Sequence, residues 1–373
     1  MRDLGPRLVD AWCRLLDLVR RWLAGAESWL LSEPRALYGV AACRIGMATA
    51  VLGLLVTNFS TRQVWAGQAS IWAEPARAIS QFPEIALLDG VSGDVLTLFY
   101  LVTMLAAVLL LVGWHAKAAN VVTLIGFIAI VAQNPVVADE SDNLIRITLL
   151  WLLLMQSSER WSLDAWRRER RGNGSGGAAR AARSSEEVLP EWLSRGLHHV
   201  GLLGLATPDD PAVHGGGLDK VSQKVWQQGT ALYSTMQLPE FRPFPGLSDR
   251  LSGSTVLLAL LTYAVLLTQL FFAPLLLNPI SRRIVITATI VVNVLVAVLL
   301  ALPWSSLACL ALVALFVSTE SYARFDEWLR GLFAPVGDWF ALRGYDVQDA
   351  WFAVADRTVY PVGDWVRSTI LRR

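Results

Sequence analysis

The sequence predicts an all-α fold, a polytopic transmembrane helix bundle of about eight crossings with the fifth broken or irregular. Three observations carry that expectation. Hydrophobic residues make up 54% of the 373 and charged residues only 17%, against about a quarter charged in a soluble domain. Seven apolar runs approach the length needed to cross about 30 Å of hydrocarbon. The basic residues fall in alternate loops, as the positive-inside rule asks of a multi-pass chain.

Residues 1–34 contain RLVDAWCRLLDLVRRWL, apolar at helical spacing but broken by charge. This predicts an amphipathic interfacial or cytoplasmic helix rather than a signal peptide. Apolar runs follow near 37–58, 93–114, 118–137, 142–158, 254–278, 282–302 and 304–319. The fourth is short, and only Pro303-Trp304 divides the last two. A further candidate near 192–215 begins LHHVGLLGLA and then meets ATPDDPAVHGGG. Prolines, aspartates and glycines at that density cannot form a lipid-facing helix.

Loop charge bears on that doubtful segment. Arg14, Arg20, Arg21 and Arg35 precede the first run, and the 59–92 loop is poor in Lys and Arg. Lys117 sits in the next turn, and Asp139, Glu140 and Asp142 in the one after. The 159–190 loop carries Arg160, Arg167, Arg168, Arg170, Arg171, Arg180 and Arg183. These alternate in, out, in, out, in. Arg282 and Arg283 return inside only if the chain crosses once between 190 and 253. Either a broken helix crosses there, lined by protein or water, or the segment 205–216 has decayed and no longer inserts. The first alternative gives eight crossings with both termini cytoplasmic, in an inner or plasma membrane. Residues 159–190, with GNGSGGAARAARSSEE inside them, read as a cytoplasmic linker. Residues 320–373 read as an amphipathic cytoplasmic tail, leaving 35–319 as the transmembrane domain.

Several classes are excluded by the same counts. A net charge of +1 offers no basic field for nucleic acid. Cys13, Cys43 and Cys309 make neither a disulfide framework nor a zinc spacing, and His115, His198, His199 and His214 are read as lying outside the apolar runs. No metal is expected.

Lysine usage is the most informative count. Of 32 basic residues only Lys117, Lys220 and Lys224 are lysines. Two of them lie in GGGLDKVSQKVWQQGTALY. Unlike arginine, a buried lysine can release a neutral amine able to act as a base. The plain alternative is a loop with two solvated lysines. Inside the apolar runs, Arg44 would snorkel or pair with an acid, and Asp142 with Arg146 would pair across one helical turn. Gln269 and Asn293 are further intramembrane polar positions, and Trp65, Trp72, Trp114, Trp151, Trp161 and Trp304 fall mostly at run ends, as an aromatic belt does.

From 217 to 245 the chain reads GLDKVSQKVWQQGTALYSTMQLPEFRPFP. This resembles the core motif of the horizontally transferred transmembrane (HTTM) domain family, which includes SdpB-type bacterial membrane proteins and is related to the vitamin-K-dependent gamma-carboxylases. The pattern falls on Lys220, Trp226, Gly229, Thr230, Ala231, Tyr233, Pro239, Glu240 and Phe241. LYGVAACRIGMATA at 37–50, DNLIRITLLWLLLMQSSERWSLDAWRRERR at 142–171 and LLTYAVLLTQLFFAPLLLNPISRR at 260–283 also fit, so the resemblance spans roughly 35–320.

By that resemblance Lys220 would be the base that deprotonates a lipid quinol, presented by a turn of Trp226, Gly229, Thr230, Ala231 and Tyr233. The departures are specific. ATPDDPAVHGGG replaces an unbroken span, Gln269 stands where a Glu or other polar group is usual, and Asn293 stands where relatives tend to have His. ADESDNLIR lacks the His that the carboxylases use. Carboxylation of glutamates is therefore not expected. The resemblance implies an SdpB-type integral membrane protein with a membrane-depth cavity near Lys220, accessory to maturation or export of a secreted peptide. The alternatives are a lipid-quinol-dependent base-catalysed modifying enzyme and a non-catalytic membrane scaffold or immunity-like protein. The expected partners are the lipid bilayer and a secreted peptide or other membrane protein.

Overall fold

A computed structural model describes residues 16–21, 24–67, 88, 90–172, 189–206, 220–329 and 331–332. Among them there is no strand. The chain divides into two units, 1–317 and 318–373.

In the first unit each apolar run is a helix. These are α1 (Leu37–Thr57), α2 (Gly93–Val112), α3 (Ala116–Val131) and α4 (Glu140–Leu154). The arginine-rich stretch forms α5 (Leu163–Gly172), and the doubtful segment begins as α6 (Glu191–Ala206). Then come α7 (Ala231–Gln237), α8 (Pro245–Ser252), α9 (Thr255–Leu270), α10 (Pro279–Leu299) and α11 (Pro303–Val313). By length and composition three helices, α1, α2 and α10, can cross a membrane, or up to five if two bent pairs each count as one span. One such pair is α8–α9, bent by 97°.

Several runs stop earlier than hydropathy predicts, each for a local reason. Asn134 donates to Trp65 O at 3.0 Å and precedes Pro135, a pair that does not continue a helix. At the end of α4 the Gln156 N–H donates to His198 Nδ1 at 3.1 Å, while Met155 is already extended. The 254–278 run breaks at Phe271, and Asn278 then caps α10, accepting from Ile280 N at 2.9 Å, with Pro279 at its first position.

α1 is the central helix, with 61% of its apolar window buried, whereas α10 has only 11% and presents its sides outward. The sequence reason lies in Gly39, Gly46 and Gly53, seven residues apart on one face. A Cβ on Gly46 would lie 2.5 Å from Ala311 Cβ, and one on Gly53 2.3 Å from the Trp304 ring. One on Gly39 would lie 2.9 Å from Ala314 O. Small residues thus let α1 and α11 approach backbone to backbone, the usual means of helix association in lipid. The order of these contacts makes the two helices antiparallel.

The same reading orders the rest. Gly201 packs on Met155 and Gly204 on Trp151, so α6 runs antiparallel to α4. Leu258 clusters with Leu300, whereas Phe272 clusters with Val285 and Val313, with Phe316 against it. α9 therefore starts beside the end of α10 and finishes beside the end of α11.

Residues 1–15 of the N-terminal segment, the linker residues 173–188 and the stretch 207–219 lie outside the described residues, so those expectations rest on sequence. In the second unit residues 319–329 are helical. Phe325 and Trp328 stack there at 5.7 Å and both are exposed, while residues 333–373 of the expected tail lie outside the described residues.

Candidate functional site

α4 begins with Asp139 as its N-cap. Its carboxylate accepts from Ser141 N at 2.8 Å and Asp142 N at 3.0 Å, and Asp142 returns the contact by accepting from Asp139 N at 3.0 Å. This reciprocal capping box satisfies orphan amides of the first turn. Ser305, at the start of α11, donates to Asp139 Oδ2 at 3.2 Å and lies 2.9 Å from Ser141 Oγ. The first turn of α4, which carries Glu140, is thereby tied to α11.

Glu140 meets Lys220. The Lys220 Nζ donates to Glu140 Oε2 at 2.9 Å and to Gln269 Oε1 at 3.0 Å. It also sits 5.3 Å from the centroid of the Trp226 ring, within cation–π range. Lys220 is only 8% exposed, while the Glu140 side chain is 74% exposed. One carboxylate, one amide oxygen and one ring face together suit an ammonium cut off from water, with its counter-ion open to one side. Gln269 lies one turn before Phe272, well down α9 from its start at Thr255.

The motif after Lys220 builds the support. Gly229 has φ +72, and a Cβ there would lie 3.0 Å from Ala259 Cβ; both facts call for glycine. Thr230 N donates to Val225 O at 2.9 Å, and Tyr263 OH donates to Gln227 O at 2.6 Å, fastening the turn to α9. Ala231 starts α7 and Tyr233 faces outward, 49% exposed. Pro239, Glu240 and Phe241 form a short 3-10 turn at the surface. They do not join the Lys220 contacts, and neither does Asn293, which donates to Thr289 O within α10 at 2.9 Å.

The other buried cation is Arg44. Snorkelling does not occur: the side chain is fully buried, with Nη1 donating to Leu110 O at 3.0 Å and Nη2 to Trp161 O at 2.7 Å. Its Nε has no partner. Trp161 adopts φ +47, a strained conformation for a bulky residue, and that conformation delivers its carbonyl. The acid whose charge reaches Arg44 is Asp164, which accepts from the amides of His115 and Ala116, both at 3.0 Å, and so caps α3. Asp142 is turned back into the capping box and makes no close ion pair with Arg146, although the Arg146 charge still acts on its carboxylate across one helical turn. Arg146 Nε is buried without a partner.

Sequence reasoning missed two groups. Glu140 was read as one charge of an acidic turn; the signal available was a capping motif immediately before an apolar run. His198 and His199 were read as lying outside apolar runs, yet both are fully buried. His198 Nδ1 accepts from Gln156 N, so Nε2 carries the proton toward Arg35 O at 2.8 Å. His199 Nδ1 faces Arg195 O at 2.9 Å. Among the described residues no cluster of three or more metal-ligating side chains forms.

Residues 39–175 match the family model of the HTTM domain. That stretch runs from α1 through α5 and includes Arg44 and Glu140, while Lys220 and Gln269 lie beyond it. No curated protein and no solved structure matches the chain. The HTTM match, together with the apolar helices, indicates a membrane protein.

Proposed function

We propose that the protein is an SdpB-type bacterial inner-membrane protein that crosses the bilayer eight times. On this reading its Lys220 site, at membrane depth, serves the maturation or export of a secreted peptide. The observation that carries the reading is the pairing of Lys220 with Glu140 and Gln269, three residues far apart in sequence and drawn from three segments of the bundle. Such intramembrane ionisable groups mark functional sites by default. The crossing count is supported by the order of the helices. α5 lies beside the turn between α2 and α3, while α9 starts at the opposite end of the bundle. The chain must change ends between them, with α6 and residues 220–237 as the two described pieces. Arg282 and Arg283 then share an end with Arg35 and Arg160, as cytoplasmic loops do.

A second reading, a lipid-quinol-dependent modifying enzyme with Lys220 as base, is favoured by one observation. Leu261, Val265 and Gln269 fall at i, i+4 and i+8 on one face of α9. The first two line a narrow apolar crevice between α9 and α10. A polar head at Lys220 would place an attached apolar chain along that face.

The test is complementation. In a strain lacking the gene, wild-type chain restores the affected secreted peptide by mass spectrometry, whereas Lys220→Ala and Glu140→Gln, inserted at equal levels, do not. Full restoration by Lys220→Ala would leave only the scaffold role standing. Loss of restoration on depletion of membrane quinones, with the variants also inactive, would select the second reading.

A further inference from the structure

The end of the bundle away from Lys220 carries a second built feature, which the proposed function does not use. Three arginines there each lie over an aromatic ring: Arg35 at 6.0 Å from Trp29, Arg160 at 5.0 Å from Tyr38, and Arg167 at 5.7 Å from Trp114. All three are exposed, and among the described residues none has a carboxylate within ion-pair distance. Arg168 shows the contrast, since it is committed to Glu159 at 3.1 Å and to Ser158 O at 2.8 Å. Asp164, the acid in their midst, is occupied by two backbone amides. Glu33 and Glu169 are exposed nearby, but with Lys117 also exposed the balance remains positive.

A guanidinium that lies over a ring and is exposed keeps N–H donors available to grip a phosphate. The backbone beneath is fixed rather than slack. Ala36, His115 and Trp161 all hold positive φ, at +54, +46 and +47. Trp161 in turn is locked by the buried Arg44 and by an edge contact with Tyr38 at 5.4 Å. Rings at helix ends mark the headgroup level of a bilayer.

We propose that these three arginine–aromatic pairs form a preorganised binding surface for the phosphate headgroups of anionic phospholipids in the leaflet on this side. Charge complementarity selects that occupant, because a zwitterionic leaflet offers no net attraction to a surface with surplus cations.

The full chain is reconstituted in nanodiscs of phosphatidylcholine with and without phosphatidylglycerol, and lipid retained after extraction is counted by native mass spectrometry. Wild type retains phosphatidylglycerol selectively. Arg35→Gln, Arg160→Gln and Arg167→Gln each weaken that retention about fivefold, more at low salt than at high, whereas Arg168→Gln changes it little. Equal retention of the two lipids by wild type, or undiminished selectivity in the triple variant, would overturn the proposal. So would displacement of the lipid by millimolar inorganic phosphate, which would mark a free-anion site instead.

Discussion

Among the described residues Arg44 and Lys220 are the two cations most deeply withdrawn from water, and they are held in opposite ways. Arg44 donates to main-chain carbonyls of two different segments, Leu110 and Trp161, and among the described residues no carboxylate lies within ion-pair distance of it. Lys220 holds only side chains, Glu140 and Gln269, and one of them is mostly exposed. Main-chain partners cannot leave without local unfolding. Side-chain partners can rotate away or be replaced by a ligand group. The first arrangement ties a structure together; the second leaves a site that can exchange partners.

The largest effect that separates the two belongs to Arg44. Arg44→Ala opens a cavity in the core and takes a donor from two carbonyls, Trp161 O and Leu110 O, the second of which keeps the Gly113 amide at 3.2 Å, so the free energy of unfolding in detergent should fall by about 3–5 kcal/mol. Lys220→Ala should cost about 1 kcal/mol or less, because Glu140 can turn to solvent. If the two variants were equally destabilised, Lys220 would be a structural tie as well. Between them stands Gly229→Ala. The positive φ and the Ala259 contact together make it cost about 1–3 kcal/mol. It should also displace Trp226 from Lys220, read as a change in tryptophan fluorescence that Lys220→Ala alone does not reproduce.

The contrast also explains what could be read from the sequence. The apolar runs gave the helices and nearly all their starts, since each is an unbroken stretch of lipid-soluble residues. Helix ends were harder: Asn134-Pro135 marks the end of α3, but α4 stops on a tertiary contact from His198 that no local pattern encodes. Lys220, Trp226 and Gln269 could be singled out beforehand from lysine scarcity and the motif. Glu140 could be told from its neighbours only through the capping motif that takes up Asp139 and Asp142, and nothing local says that it faces a lysine 80 positions away. Arg44 was visible as an anomaly, but its partners are backbone atoms, and backbone atoms leave no trace in residue identity. The buried histidines were missed for a related reason. Their helix is polar at its start, and only packing against α4 and against Trp29 and Arg35 takes them out of water.

The proposal that the Lys220 site, buried against Glu140 and Gln269, lies at membrane depth is the central one. It is tested most directly by amine labelling in intact membranes, mapped by mass spectrometry, with Lys117 and Lys224 as internal references. Both references are exposed, and the chain has no other lysine. The account predicts that Lys117 and Lys224 label readily on whichever side the reagent reaches, while Lys220 stays protected until Glu140 is changed to Gln or the membrane is dissolved. Labelling of Lys220 as fast as Lys224 in the wild-type chain would contradict it.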